Sequence, residues 1–259
     1  MEKIMEIDNL SMVFGGLKAI DNINISIKPG AITALIGPNG AGKTTLFNCI
    51  TGVYKPTAGS VYIRKPGQKE SEKISGLRPH VINRKGLART FQNIRLFSNM
   101  SVLENVMVGR HHKLRASIMG ALLRDRKTRE EEEKVVNDSY EILKKINLHK
   151  FVNEMARNLP YGAQRRLEIA RALSTDPFLL LLDEPAAGMN PLETRELEET
   201  INRLRSEENI SILLIEHDMS LVMNISEHIY VVDYGKMIAE GTPDEVKRNP
   251  DVIKAYLGE

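Results

Sequence analysis

The sequence predicts an α/β fold, and three observations carry that prediction. Residues 31 to 51 read as strand, glycine loop, helix, with Gly37-Pro38-Asn39-Gly40-Ala41-Gly42-Lys43-Thr44-Thr45 matching G-x-x-x-x-G-K-[ST] in full. Two later runs, Phe178 to Leu182 and Ile210 to Ile215, are almost wholly apolar, as strands buried on both faces are. The opening thirty residues alternate apolar and polar positions instead, as half-buried strands do.

Taken in order, Met5 to Phe14 places Ile7, Leu10 and Met12 at strand-like intervals and ends in an aromatic. Asn22 to Lys28 alternates through Ile23, Ile25 and Ile27 until Lys28-Pro29-Gly30 breaks it, as a short hairpin connection would. The start is therefore expected to be antiparallel strands leading into the strand Ala31 to Ile36. Thr44 to Thr51 can open a helix, and Ser60 to Ile63 adds a short strand. Residues 64 to 80 are polar and punctuated by Pro66, Gly67, Gly76 and Pro79, which predicts a surface excursion rather than a core element. Leu87 to Phe91 reads as a strand with Gln92 just beyond it, and Ser101-Val102-Leu103-Glu104 is a capping box that starts a helix. Gly109 to Lys127 is basic and is expected to be a solvated insertion; the pair His111 and His112 lacks a third ligand at metal spacing. From Thr128 onward, Val135, Val136, Tyr140, Leu143 and Ile146 recur at three and four, giving an amphipathic helix.

The chemistry concentrates at four places. Glycines at 37, 40 and 42 let the backbone turn tightly, so that successive N–H groups and the positive helix start can face phosphate oxygens. Lys43 adds a full charge and Thr44 a hydroxyl suited to Mg²⁺. Phe178-Leu179-Leu180-Leu181-Leu182 delivers Asp183 and Glu184 at a strand end, where Asp183 suits a Mg²⁺ partner and Glu184 can polarise an attacking water. The second apolar run ends in Glu216-His217-Asp218, bringing His217 to the same sheet edge, where it can bond a γ-phosphate or steady Glu184. Leu159-Pro160-Tyr161-Gly162-Ala163-Gln164 is a glycine-bearing turn ahead of a strong helix, Leu167 to Leu173.

Composition bounds the remaining possibilities. Hydrophobic residues make up 42% and charged residues 27%, an ordinary globular balance in one α/β domain or two small ones. With 36 basic against 34 acidic residues the net charge is +2, which gives no case for nucleic acid as an electrostatic partner. The single cysteine, Cys49, precludes an internal disulfide and is expected to be packed in the helix after the loop. No apolar run approaches the roughly 18 residues of a spanning helix, and Met1 leads directly into Glu2 and Lys3, so neither spanning nor secretion is expected.

With the phosphate loop, Gln92, residues 159 to 166, Asp183-Glu184 and His217 in that order, the chain resembles an ATP-binding cassette (ABC) ATPase over nearly its full length. Arg89-Thr90-Phe91-Gln92, Leu159 to Gly162 with Gln164 to Arg171, and Ala186-Ala187-Gly188-Met189-Asn190-Pro191 look like the branched-chain, hydrophobic amino acid uptake branch. The resemblance implies one P-loop NTPase domain over residues 1–259, with a RecA-like core, an antiparallel β portion, an inserted α-helical subdomain near 93–175 and a C-terminal strand and helices at 236–259. It implies ATP and Mg²⁺ as cofactors, with Thr44, Gln92 and Asp183 on the metal, Lys43, Glu184 and His217 in catalysis, and Phe14 stacked on adenine. It further implies a second ATPase subunit whose ATP is met by the signature Leu159 to Gln164, two membrane permease subunits, an indirect link to a substrate-binding protein, and a place at the cytoplasmic face of the membrane. Against the common Leu-Ser-Gly-Gly-Gln signature, Pro160 replaces the serine, Tyr161 the first glycine and Ala163 the glutamine, leaving Gly162 and the helix start to offer backbone N–H groups to an anion. The alternatives are export of a lipid or lipopolysaccharide, uptake of urea or amides, a soluble cassette acting on nucleic acid, and a small-molecule kinase using the same loop.

Overall fold

The alternating start of the chain forms β1 (Met5–Phe14) and β2 (Leu17–Ile27), paired antiparallel with Met5 opposite Ile27 and Phe14 opposite Leu17. They join β4 (Ala58–Ile63) and the two-residue β5 (Glu72–Lys73) in a four-stranded sheet ordered β2-β1-β4-β5. This is a computed structural model, and it describes residues 2–110 and 126–257. The expected basic insertion therefore lies mostly outside the described residues, together with His111 and His112. Arg110, at its edge, pairs with Asp138 at 3.3 Å and Asp176 at 3.4 Å and is largely enclosed rather than solvated.

The apolar runs build a second sheet. Its strands are β3 (Ile32–Ile36), β6 (Leu87–Arg89), β7 (Leu179–Asp183), β8 (Ser211–Ile215), β9 (His228–Asp233) and β10 (Lys236–Gly241), in the order β10-β9-β3-β8-β7-β6. All neighbours run parallel except the terminal β9–β10 hairpin. Every residue of β3, β7 and β8 is buried, which is why these strands read as continuous rather than alternating hydrophobic runs.

The expected hairpin at Lys28-Pro29-Gly30 does not form. β2 and β3 belong to different sheets, and the turn carries the chain from the antiparallel layer to the parallel one. Alternation in β2 and solid burial in β3 signalled that change of environment, which a Pro-Gly turn alone does not distinguish from a hairpin. The polar excursion at 64 to 80 also holds more order than expected: β5 pairs with β4, Ile74, beside it, is fully buried, and α2 (Pro79–Arg84) starts at its end.

Two compact units emerge. One comprises Met1–Gln92, Pro177–Gly188 and Ile201–Glu259, and the other Asn93–Asp176 and Met189–Thr200. The first is centred on a core where Ile7, Leu10, Ile23 and Val61 of the antiparallel sheet meet Leu35, Leu181 and Leu213 of the parallel one, around Leu46, Phe47, Cys49 and Ile50 of α1 (Lys43–Ile50). Burial pushes the Cys49 thiol up to about 11, so this cysteine is a packing residue. On the other side of β3, Ala34 and Ile36 pack with Ile229, Val231, Val222, Val246 and Val252, as the two-residue period of a strand requires.

The second unit is helical. α3 (Val102–Arg110) packs on α4 (Arg126–Lys145) and α5 (Tyr161–Leu173). The box at its start forms as the sequence indicates, Ser101 N–H donating to Glu104 Oε2 at 2.7 Å and Glu104 N–H to Ser101 Oγ at 3.2 Å. Asn105, fully buried, ties the preceding loop down by donating to Ser101 O at 2.9 Å and Phe97 O at 3.0 Å while accepting from Phe97 N–H at 2.9 Å.

Candidate functional site

β3 stops at Ile36 and the chain turns through the glycine loop into α1, whose N-cap is Gly42 at φ 102°. Two glycines there are dictated by space as well as by torsion. A Cβ on Gly37 would lie 2.0 Å from Val232 O, and one on Gly42 2.6 Å from Ala19 O, backbone atoms that cannot step aside. The loop is thus pressed against β2 and β9, and on its open side Asn39 to Thr45 line a cleft.

Lys43 is buried and folds back on its own loop, donating to Gly37 O at 2.7 Å and Pro38 O at 2.9 Å. Loss of hydration lowers its ammonium pKa, and the charges of Glu184 and Asp183 oppose that shift. The lysine loop and the acidic pair, far apart in sequence, therefore lie within electrostatic reach of one another. Sheet order explains the meeting: β3 and β7 flank β8, all parallel, so all three deliver their carboxyl ends to one edge.

At that edge Glu184 is the hub. Its Oε1 lies 2.6 Å from His217 Nε2, and its Oε2 accepts from Gln92 Nε2 at 2.6 Å. Its backbone holds φ +49°, with N–H donating to Ile215 O at 2.9 Å. A non-glycine residue in the left-handed region costs about 1–2 kcal/mol, strain of the kind stored at functional sites. A cleft of about 520 Å³ opens over these groups, lined by Gly40 to Thr45, Asn39, Gln92, Glu184 and His217. Leu17, Lys18, Ala19, Tyr234 and Gly235 complete its wall.

Phe14 is not part of that wall; it stands at the end of β1, edge-on to Tyr54 with centroids 5.3 Å apart. Among the residues near the rim, Leu17 and Tyr234 are far more exposed, at 71% and 87%. Asp183 sits behind the cleft surface, its Oδ2 paired with Arg89 Nη2 at 2.7 Å. Thr44 and Gln92 line the cleft and Asp183 ends β7 at the same sheet edge, so the donors these residues could offer a metal ion are oxygens. No group of three or more His, Cys, Asp or Glu that could cage a metal occurs among the described residues. That set fits Mg²⁺, which takes one or two carboxylates and fills its remaining positions with water and substrate phosphates.

Glu216, which no sequence motif marks, stands between a buried strand and His217. It is buried, and one oxygen accepts from Ala186 N–H at 2.7 Å while the other accepts from His217 N–H at 2.9 Å and Asp218 N–H at 3.3 Å. Desolvation, with a smaller push from Glu184, raises its pKa, and the three amides oppose the shift. It staples the segment after Glu184 to the segment carrying His217.

The signature-like segment belongs to the helical unit. Pro160 is the N-cap of α5, Leu159 and Ala163 are buried, and Gln164 Nε2 donates to Leu159 O at 2.9 Å. Tyr161 is exposed, its hydroxyl accepting from Arg165 Nη2 at 2.9 Å. The Gly162 N–H, expected to face an anion, already donates to Glu193 Oε1 at 3.0 Å, and the other oxygen of Glu193 accepts from Asn190 N–H at 3.1 Å. A carboxylate at a helix start is what the helix dipole favours.

Comparison with known proteins gives consistent matches along the whole chain. Residues 20–187 match a family described as ABC transporter, and residues 236–259 a family described as branched-chain amino acid ATP-binding cassette transporter. The chain is 48% identical over 256 residues to the high-affinity branched-chain amino acid transport ATP-binding protein BraF of Pseudomonas aeruginosa, covering 99% of this chain and 98% of that one. It is 48% identical over 258 residues to the protein LivG of the same description from Escherichia coli, covering 100% and 99% of the two. A crystal structure of the ADP conformation of an ATP-binding cassette superposes with a TM-score of 0.85 at 34% identity, covering 100% of both chains.

Proposed function

The chain belongs to the ABC transporter family, in its branched-chain amino acid branch, and from that premise we propose how its residues divide the work of an ATP-hydrolysing importer subunit. The loop of residues 37 to 45 and Lys43 hold the β- and γ-phosphates, with N–H groups and one buried ammonium. Displacing Gly37 O and Pro38 O by phosphate oxygens gives Lys43 a charged partner in place of two neutral ones, so the lysine gains most when nucleotide arrives. Phe14, outside the cleft wall but paired across β1 and β2 with the wall residue Leu17, receives the adenine. Thr44, Gln92 and Asp183 hold Mg²⁺, which when bound neutralises phosphate charge.

Glu184 is the general base. His217 and Gln92 each take one of its oxygens and so fix where the carboxylate points, and His217 is placed to meet the γ-phosphate. The ATP of one subunit is met by residues 159 to 164 of a second ATPase subunit, and two permease subunits tie the pair to the cytoplasmic face of the membrane. In keeping with this, no helix among the described residues is long and apolar enough to cross a membrane. The single observation that supports the reading best is the shared setting of Lys43, Asp183 and Glu184 at one sheet edge. Glu184→Gln should lower ATP hydrolysis by about 10² to 10⁴ and leave ATP binding in place, as removal of a positioned base does. Turnover at the wild-type rate would remove Glu184 from that role.

A further inference from the structure

Arg89 ends β6, three positions before Gln92, and no role follows for it from the phosphate loop, the acidic pair or the signature. It is nevertheless held at several points by its neighbours. Nη2 lies 2.7 Å from Asp183 Oδ2, with the two side chains only 8% and 5% exposed. Nη1 donates to Asn48 Oδ1 at 2.8 Å and Thr51 Oγ1 at 3.1 Å, groups at the far end of the helix that begins with Lys43. The guanidinium carbon also sits 5.5 Å from the centroid of the Phe47 ring and 5.2 Å from that of Phe91. Nε is buried without a hydrogen-bond partner among the described residues. One donor is thus given up so that the other two nitrogens stay on their targets.

A planar guanidinium held at this many points has little freedom to follow the carboxylate it binds, so the carboxylate follows it. We propose that Arg89 is the positioning residue for Asp183: by holding Oδ2 it sets the rotation of the carboxyl group and presents Oδ1 to the metal ion that accompanies the nucleotide. The same guanidinium ties that alignment to α1, the helix that begins with Lys43. The inference rests on the metal and nucleotide assignments proposed above and adds a residue to them.

Two effects of Arg89 on a divalent cation oppose each other, and their balance is testable. Its charge repels the cation, so removal through that effect alone would tighten metal binding. Its grip on Oδ2 orients the ligand, and Mg²⁺ demands near-ideal octahedral geometry, so removal through that effect weakens binding. Groups that orient a metal ligand typically contribute about 10- to 100-fold in metal affinity or activity, and we expect orientation to win.

The test measures ATP affinity of the intact chain by titration calorimetry, once in EDTA and once in Mg²⁺, and takes the ratio as the metal enhancement. Arg89→Met keeps the stem against Phe47 and Phe91 while removing the fork; its affinity in EDTA should match wild type and its metal enhancement should fall about tenfold. Arg89→Lys, with a charge but no fork, should fall in between. Asn48→Ala loosens the guanidinium from the opposite side without touching Asp183; it should shift the ratio in the same direction by a smaller factor, and it carries the test should Arg89→Met fail to fold. An enhancement equal to or larger than wild type in these variants would overturn the proposal. So would a parallel loss of affinity in EDTA and in Mg²⁺, which is the mark of a merely structural residue. Absence of any metal enhancement in wild type would instead overturn the metal assignment beneath it.

Discussion

Glu184 offers a test in which backbone strain and side-chain function separate. Its φ of +49° is a conformation that a residue with a Cβ holds at a cost of about 1–2 kcal/mol. Replacement by alanine removes the bonds to Gln92 and His217 and keeps the strained Cβ. Replacement by glycine removes the same two bonds and relieves the strain, but gives the unfolded chain about 0.5–1 kcal/mol of extra entropy. The lost bonds cancel in the comparison, so Glu184→Gly should be more stable than Glu184→Ala by about 0.7 kcal/mol, against the usual preference for alanine. At roughly 2–4 °C per kcal/mol for a domain of about this size, the glycine variant should melt about 1–3 °C higher in nucleotide-free calorimetry. Neither should hydrolyse ATP at more than a small fraction of the wild-type rate. An alanine variant as stable as the glycine variant would show that the left-handed backbone at 184 is not strained, and the account of this site as one that sacrifices stability to aim a carboxylate would fall.

Three further outcomes follow from other parts of the structure. Glu168 is buried in the helical unit, and desolvation raises its pKa from the usual 4.5 despite the Arg95 N–H at 2.7 Å and the nearby Arg171 and Arg165 charges. A carboxyl whose folded pKa is raised contributes fully below the unfolded value and loses that contribution as pH rises through the folded one; melting curves should therefore show wild type losing ground to Glu168→Gln as pH rises from about 4.5 towards neutrality, and the opposite trend would mean that the arginines dominate. Glu193→Ala removes the acceptor at the start of α5 and should cost about 1 kcal/mol, with Glu193→Gln recovering part of it; equal melting temperatures for all three proteins would show that the contact to Gly162 carries no weight. His217→Ala removes one hydrogen bond to the Glu184 carboxylate, which at 43% exposure of the histidine is discounted to about 1–2 kcal/mol, or roughly five- to thirtyfold in hydrolysis; an unchanged rate in steady-state assays would detach His217 from the base.

Much of this was legible in the chain because local pattern and global fold agree. The loop at 37 to 45, the solid apolar runs before Asp183 and Glu216, and the capping box at Ser101 each state their own geometry within a few residues. What was hidden depends on pairing across the sequence. Pro29-Gly30 looks like a hairpin because a turn's residues do not say which sheet the next strand enters. Ile74 looks like part of a polar loop because one apolar residue has no period, and its burial is decided by the strand it falls beside. Arg89 is a charged residue at the end of a strand and Glu216 one just past a strand, a pattern more often found at surfaces; only the register that sets Arg89 beside Leu181 of β7, and the amides that converge on Glu216, mark them as interior groups with assigned partners. Glu193 escaped notice for the same reason, since nothing local links position 193 to Gly162.

The central claim is that the lysine loop and the acidic pair serve a single nucleotide. It is tested most directly by a double-mutant cycle on MgATP affinity with Lys43→Met, Asp183→Asn and the two combined. Groups that share one bound triphosphate should be coupled, the double variant departing from the sum of the single losses by about 0.5–3 kcal/mol. Losses that add to within about 0.3–0.5 kcal/mol would place the two residues at independent sites and contradict the account.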